Sequence, residues 1–80
     1  NYPNPFNPST RISFAVPKKG FVSLKVYDLL GKEITTLVNE VISAGEYRVN
    51  FSGDGLQSGV YFYLLETEGF TKSMKMLMVK

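Results

Sequence analysis

Glu66 and Glu68 stand two residues apart and form the closest acid pair in this chain, so acid–base catalysis is the first chemistry to consider. On a continuing strand they would share one side. They flank a turn beside Gly69, however, and a solvated strand end uses them more simply. Asp54, set between Gly53 and Gly55, raises the question of calcium, but a calcium loop needs several oxygen ligands at set spacing and this segment has one acid. A tight turn is the expectation there. The chain contains no His and no Cys, which removes Ser-His-Asp and Cys-His nucleophiles and ordinary zinc sites. No glycine-rich phosphate cradle is present. Tyr61 and Tyr63 share a strand face and, with Tyr27, Tyr47 and Phe62, suggest a sugar platform; core or cross-strand packing is the competing use. Met74, Met76 and Met78 form a stripe suited to packing, or to adaptable contacts at a surface. The chain is therefore read as non-catalytic, with no cofactor and no metal.

Bulk properties narrow the partners. The net charge is +2 and the nine Lys and Arg are scattered from Arg11 to Lys80, so no nucleic-acid footprint forms. The longest apolar run, Val60 to Leu65, is far short of the ~20 residues of a membrane helix, and no membrane insertion is predicted. The first residues lack the layout of a signal peptide. If the protein is exported, that signal is expected upstream of Asn1, with this chain a piece of something larger. Eighty residues make one small domain, spanning 1–80, with a modest apolar core.

The elements that must position these residues are strands. In RISFAV, Ile12, Phe14 and Val16 alternate with Arg11, Ser13 and Ala15, the period of a half-buried strand. PKKG then supplies turn residues, and FVSLKVYD alternates again through Val22, Leu24 and Val26, so the two strands are predicted to form a hairpin. DLLG places Asp28 and Gly31 at the first and fourth positions of a type I turn. KEITTLVNEVISAG is ambiguous. With Leu30 just before it, its apolar residues Ile34, Leu37, Val38, Val41 and Ile42 fall near helical spacing, while its β-branched residues favour a strand. The reading is a strand from Glu33 to about Val38, then a loop to Gly45, with a helix as the alternative. EYRVNF turns Tyr47, Val49 and Phe51 inward; SGDGLQSG is a long turn; VYFYLLE is apolar on both faces, as in a central strand; and FTKSMKMLMVK closes with another strand. Six or seven strands at this spacing predict an all-β, Ig-like or fibronectin-like antiparallel sandwich.

NYPNPFNPST precedes the first strand. A plain linker is rich in Gly and Ser, whereas here Pro3, Pro5 and Pro8 stiffen the chain around Tyr2 and Phe6. Asn4 and Asn7 suit Asx-type turns. Residues 1–10 are predicted to be an ordered lead-in, with Phe6 at least partly buried.

Taken together and in order, NYPNPFNPST, ISF, FVSLKVYDLLGKEI, AGEY, SGVYFYLLE and KMLMVK resemble the type A carboxy-terminal sorting domain of the type IX secretion system. That family is found at the ends of surface and secreted proteins of Bacteroidetes-like bacteria and is related to the Ig-like domain of flagellar hook-capping proteins. The resemblance covers essentially the whole chain. Where the family often carries an aromatic-Asp-Gly turn, this chain reads Phe51-Ser52-Gly53-Asp54-Gly55. The resemblance implies a β-sandwich that acts as an export address for an upstream cargo domain. Its implied partners are the outer-membrane translocon and a sortase-like peptidase that removes the domain afterwards. It implies passage through the periplasm and a final place at the cell surface or outside the cell. By the same resemblance the recognition elements are Lys75, Met76, Leu77, Met78, Val79 and Lys80. Tyr2, Pro3, Asn4, Pro5, Phe6, Asn7, Pro8, Gly31, Gly45, Gly59, Val60 and Tyr61 are implied to be structural, and the stretch after Glu33 is implied to be a strand. A final strand at a sheet edge would offer unpaired backbone groups to a receptor, with Lys72, Lys75 and Lys80 blunting self-association. The alternatives are an Ig-like spacer of an extracellular enzyme and a carbohydrate-binding module.

Overall fold

The computed structural model describes residues 9–53 and 55–78. Six strands fill this span: β1 (Ser9–Val16), β2 (Gly20–Asp28), β3 (Glu33–Ile42), β4 (Gly45–Ser52), β5 (Gly59–Glu66) and β6 (Thr71–Met78). They form a two-stranded sheet, β1-β4, and a four-stranded sheet, β3-β2-β5-β6, with all pairs antiparallel. The fold is an Ig-like β-sandwich.

One apolar cluster joins the layers. Ile12, Phe14, Val16 and Phe51 come from the small sheet, and Val22, Leu24, Val26, Tyr61, Leu65 and Met78 from the large one. Val22, Leu24 and Val26 are fully sequestered because β2 is flanked by β3 and β5 and covered by the other layer. Phe14 stacks on Tyr47, its partner across the β1-β4 ladder, with ring centroids 5.5 Å apart.

The predicted β1–β2 hairpin is not formed. β1 pairs with β4, and residues 17–19 carry the chain from one layer to the other. Both sides of β2 are taken, so β1 has no edge there to join. Its apolar face meets that of β2 across the core instead of lying beside it.

The predicted end of β3 is also corrected. The strand continues past Val38 to Ile42, and only Ser43 and Ala44 separate it from β4. The helix-like spacing has a specific origin. Leu24 pairs with Val38 and Lys25 with Thr36, leaving Leu37 as an extra residue; Val26 pairs with Thr35 and Tyr27 with Glu33, leaving Ile34 extra. Each β-bulge adds one residue to the repeat. Core contacts therefore fall at Ile34, Leu37, Val38 and Ile42, a spacing that imitates an amphipathic helix.

The remaining turns follow their residue chemistry. The Asp28 carbonyl accepts from Gly31 N at 3.0 Å, and its carboxylate Oδ1 accepts from Leu30 N and Lys32 N, each at 2.9 Å. Gly31 takes φ 87°, the left-handed conformation that closes this hairpin. Between β5 and β6, the Thr67 hydroxyl accepts from Gly69 N and Phe70 N, both at 3.1 Å.

Two further crossings between the layers share one device. Tyr47 donates its hydroxyl to Ser43 O at 2.6 Å, and Tyr61 donates to Gln57 O at 2.8 Å. In each case the acceptor lies four residues upstream and the tyrosine stands two residues after a strand-opening glycine, Gly45 or Gly59. Each bond ties the first turn of a strand back to the crossing that feeds it, the logic of the tyrosine corner in Ig-like sandwiches. AGEY and SGVY are thus the same local structure used twice.

Candidate functional site

Among the described residues, none of the chemistry first considered converges on a reactive site. Glu68 lies over the start of β2, its Oε2 accepting from Phe21 N at 3.5 Å, while Glu66 is solvent-exposed opposite Ser23. Asp54 falls outside the described residues. Tyr61 is 7% exposed and belongs to the core, and Tyr63, its neighbour on the same face, packs against that core. The platform imagined for them is therefore occupied by the opposing sheet. The most enclosed hollow, between residues 16–22 and 67–69, holds about 30 Å³. That is far below the roughly 300 Å³ at which small-molecule sites begin, whereas the larger hollows, such as the one of about 500 Å³ lined by residues 13–15 and 46–48, are open surface grooves. No group of three or more His, Cys, Asp or Glu is placed to hold a metal among the described residues.

What stands out is β6. Among the described residues it has one neighbour, β5, and so forms an edge of the large sheet. The ladder between them is continuous, from Gly59 opposite Met78 to Glu66 opposite Thr71, with no bulge. Residues directly opposite in an antiparallel pair share a face. Lys72, Met74, Met76 and Met78 therefore lie on the core side with Leu65, Tyr63, Tyr61 and Gly59, and Ser73, Lys75 and Leu77 lie on the outer side with Leu64, Phe62 and Val60. The methionine stripe is graded: Met78 is 3% exposed, Met76 half-buried and Met74 44% exposed. Leu77 stands out at 73% exposure.

The proposed recognition stretch thus divides in two. Lys75 and Leu77 present outward-facing side chains, while Met76 and Met78 belong mainly to the core. Val79 and Lys80 fall outside the described residues, as do Tyr2 through Pro8 and with them the expectation of a buried Phe6. Of the residues read as structural, Gly31 closes the β2–β3 turn, and Gly45, Gly59 and Tyr61 build the two corners. Val60 lies half-buried on the outer face opposite Leu77. Sequence reasoning missed three features: the corner at Tyr47, the double acceptor at Asp28, and Lys72 on the core side of an edge strand. The first was legible as the second copy of Gly-x-Tyr. The last depends on strand order, which the alternation of β6 by itself does not encode.

The class defined by fold and site is an Ig-like sandwich whose distinctive surface, among the described residues, is a regular edge strand. A family model described as a secretion system C-terminal sorting domain matches residues 1–80, and the chain belongs to that family. No curated protein and no solved structure matched the chain. Family membership makes the domain a sorting signal for type IX secretion, directing its protein to the cell surface or the extracellular space.

Proposed function

We propose that residues 1–80 act as one non-catalytic unit, an address that takes an upstream cargo domain from the periplasm through the type IX translocon. The unit is then removed by a sortase-like peptidase. The stretch Lys75, Met76, Leu77, Met78, Val79 and Lys80 is the part the translocon reads. The observation that carries this reading is β6 itself, a continuous, unbulged strand at the edge of the large sheet with Leu77 and Lys75 turned outward. Such an edge offers backbone hydrogen-bonding groups for recognition without any pocket.

The test is fusion of the 80 residues to a periplasmic reporter, in a host with this secretion system and in the same host lacking the translocon. Surface or extracellular reporter only in the first host is the expected result. Reporter retained in the periplasm of both, with stability altered by the fusion, would make the domain a spacer.

A further inference from the structure

We infer that β6 is a strand-addition site for an extended acidic segment of a protein partner, which pairs antiparallel to residues 71–78. This rests on the sorting reading above and names the chemistry of the partner. The large sheet has two edges, and they differ. β3 carries bulges at Ile34 and Leu37, which interrupt any regular ladder on that side, whereas β6 is regular over all eight residues. The small sheet has regular edges too, but apart from Ala15 the outward residues of its strands are polar and of both signs, with Arg11 on β1 and Glu46 and Arg48 on β4. β6 has one sign of charge: it contains Lys72 and Lys75 and no acid. Neither lysine is ion-paired among the described residues, whose one salt bridge joins Lys25 to Glu33 at 3.7 Å.

Lys72 faces the core side opposite Leu65, yet it is exposed, because it sits near the end of the strand. A charge directed inward on an edge strand opposes casual pairing, since an apolar partner strand would have to bury it. Two copies of β6 side by side would juxtapose lysines. A second copy is therefore a poor occupant, and a strand carrying carboxylates is a good one.

Register sets the partner's pattern. Running antiparallel to β6, the added strand meets Met76, Lys75, Met74, Ser73 and Lys72 in turn. The favoured sequence is apolar, acidic, apolar, polar, acidic. Its apolar positions cover the open sides of Met74 and Met76, and an apolar residue one step earlier meets Leu77.

The experiment uses the 80-residue chain and a fluorescent peptide, Thr-Val-Val-Glu-Val-Thr-Glu-Thr, followed by anisotropy and by amide chemical shifts. The expected result is salt-sensitive binding with shifts along β6 and β5, and affinity about tenfold weaker for Lys72→Glu/Lys75→Glu, the scale of two exposed ion pairs lost. A peptide with lysines in place of glutamates should bind that double variant better than the original chain. No binding, binding indifferent to the double variant, or shifts centred on β3 would each overturn the inference. Export of the reporter fusion separates the two readings: a chain that exports cargo but does not bind the acidic peptide refutes strand addition and leaves the sorting function standing.

Discussion

At the scale of the residue, the most informative side chains are those whose hydrogen bonds fix the chain's course. Tyr61 and Tyr47 make the same bond, but Tyr61 is buried and Tyr47 only partly so. Tyr61→Phe removes the donor of a part-buried hydrogen bond, so it should cost about 1 kcal/mol, and Tyr47→Phe, whose bond is exposed, less. Urea unfolding checks this: the midpoint should fall for both, more for Tyr61, with the slope unchanged. Asp28 offers a second case. Its carboxylate accepts from two backbone amides, so Asp28→Ala should destabilise by about 1 kcal/mol, while Asp28→Asn, which keeps an acceptor oxygen, should retain most of that. Equal midpoints for the Ala and Asn variants would show that the turn holds without the side-chain acceptor. Asp28 and Gly31 were legible as a turn because both residue types serve that geometry locally. The hydroxyl of Tyr61 was not, because its partner is set by a crossing between layers.

At the scale of the element, alternation located β1, β2 and β4 but did not assign their neighbours. Ile12, Phe14 and Val16 declare an inward face without saying which strand lies alongside, so the short PKKG connection reads as a hairpin when it is a crossover. β3 shows the opposite failure, where local spacing misleads because two bulges stretch a period of two into one resembling a helix. The family resemblance favoured a strand after Glu33, and the bulged ladder supplies the physical reason its pattern looked otherwise. β6 was legible as a strand with a methionine face; its position at an edge follows only from the order β3-β2-β5-β6. At that position Lys72 and Lys75 would also guard the edge against self-association. Replacing both by valine should turn β6 into an apolar, regular edge, and the variant should self-associate with rising concentration in sedimentation velocity. A variant that stays monomeric at the concentrations where the original chain does would show that these lysines do not guard the edge.

At the scale of the whole molecule, the sandwich solves two problems with one core. The cluster around Leu24 and Leu65 holds the sheets together without a disulfide, and the same cluster anchors β6 through Met78 and Met76. The strand proposed to carry the address is thus tied into the fold. Deleting Lys75 through Lys80 would remove Met78 from the core along with the outward residues, so loss of export after such a deletion would not separate recognition from unfolding. Point changes on the outward side do separate them. The most direct measurement is export of the reporter fusion carrying Lys75→Glu and Leu77→Ser, compared with one carrying Val41→Ser on the opposite edge strand, each first shown by urea unfolding to stay folded. The account predicts that the β6 variant remains in the periplasm while the β3 variant reaches the surface like the unaltered chain. Equal export of the two would contradict the claim that β6 carries the address.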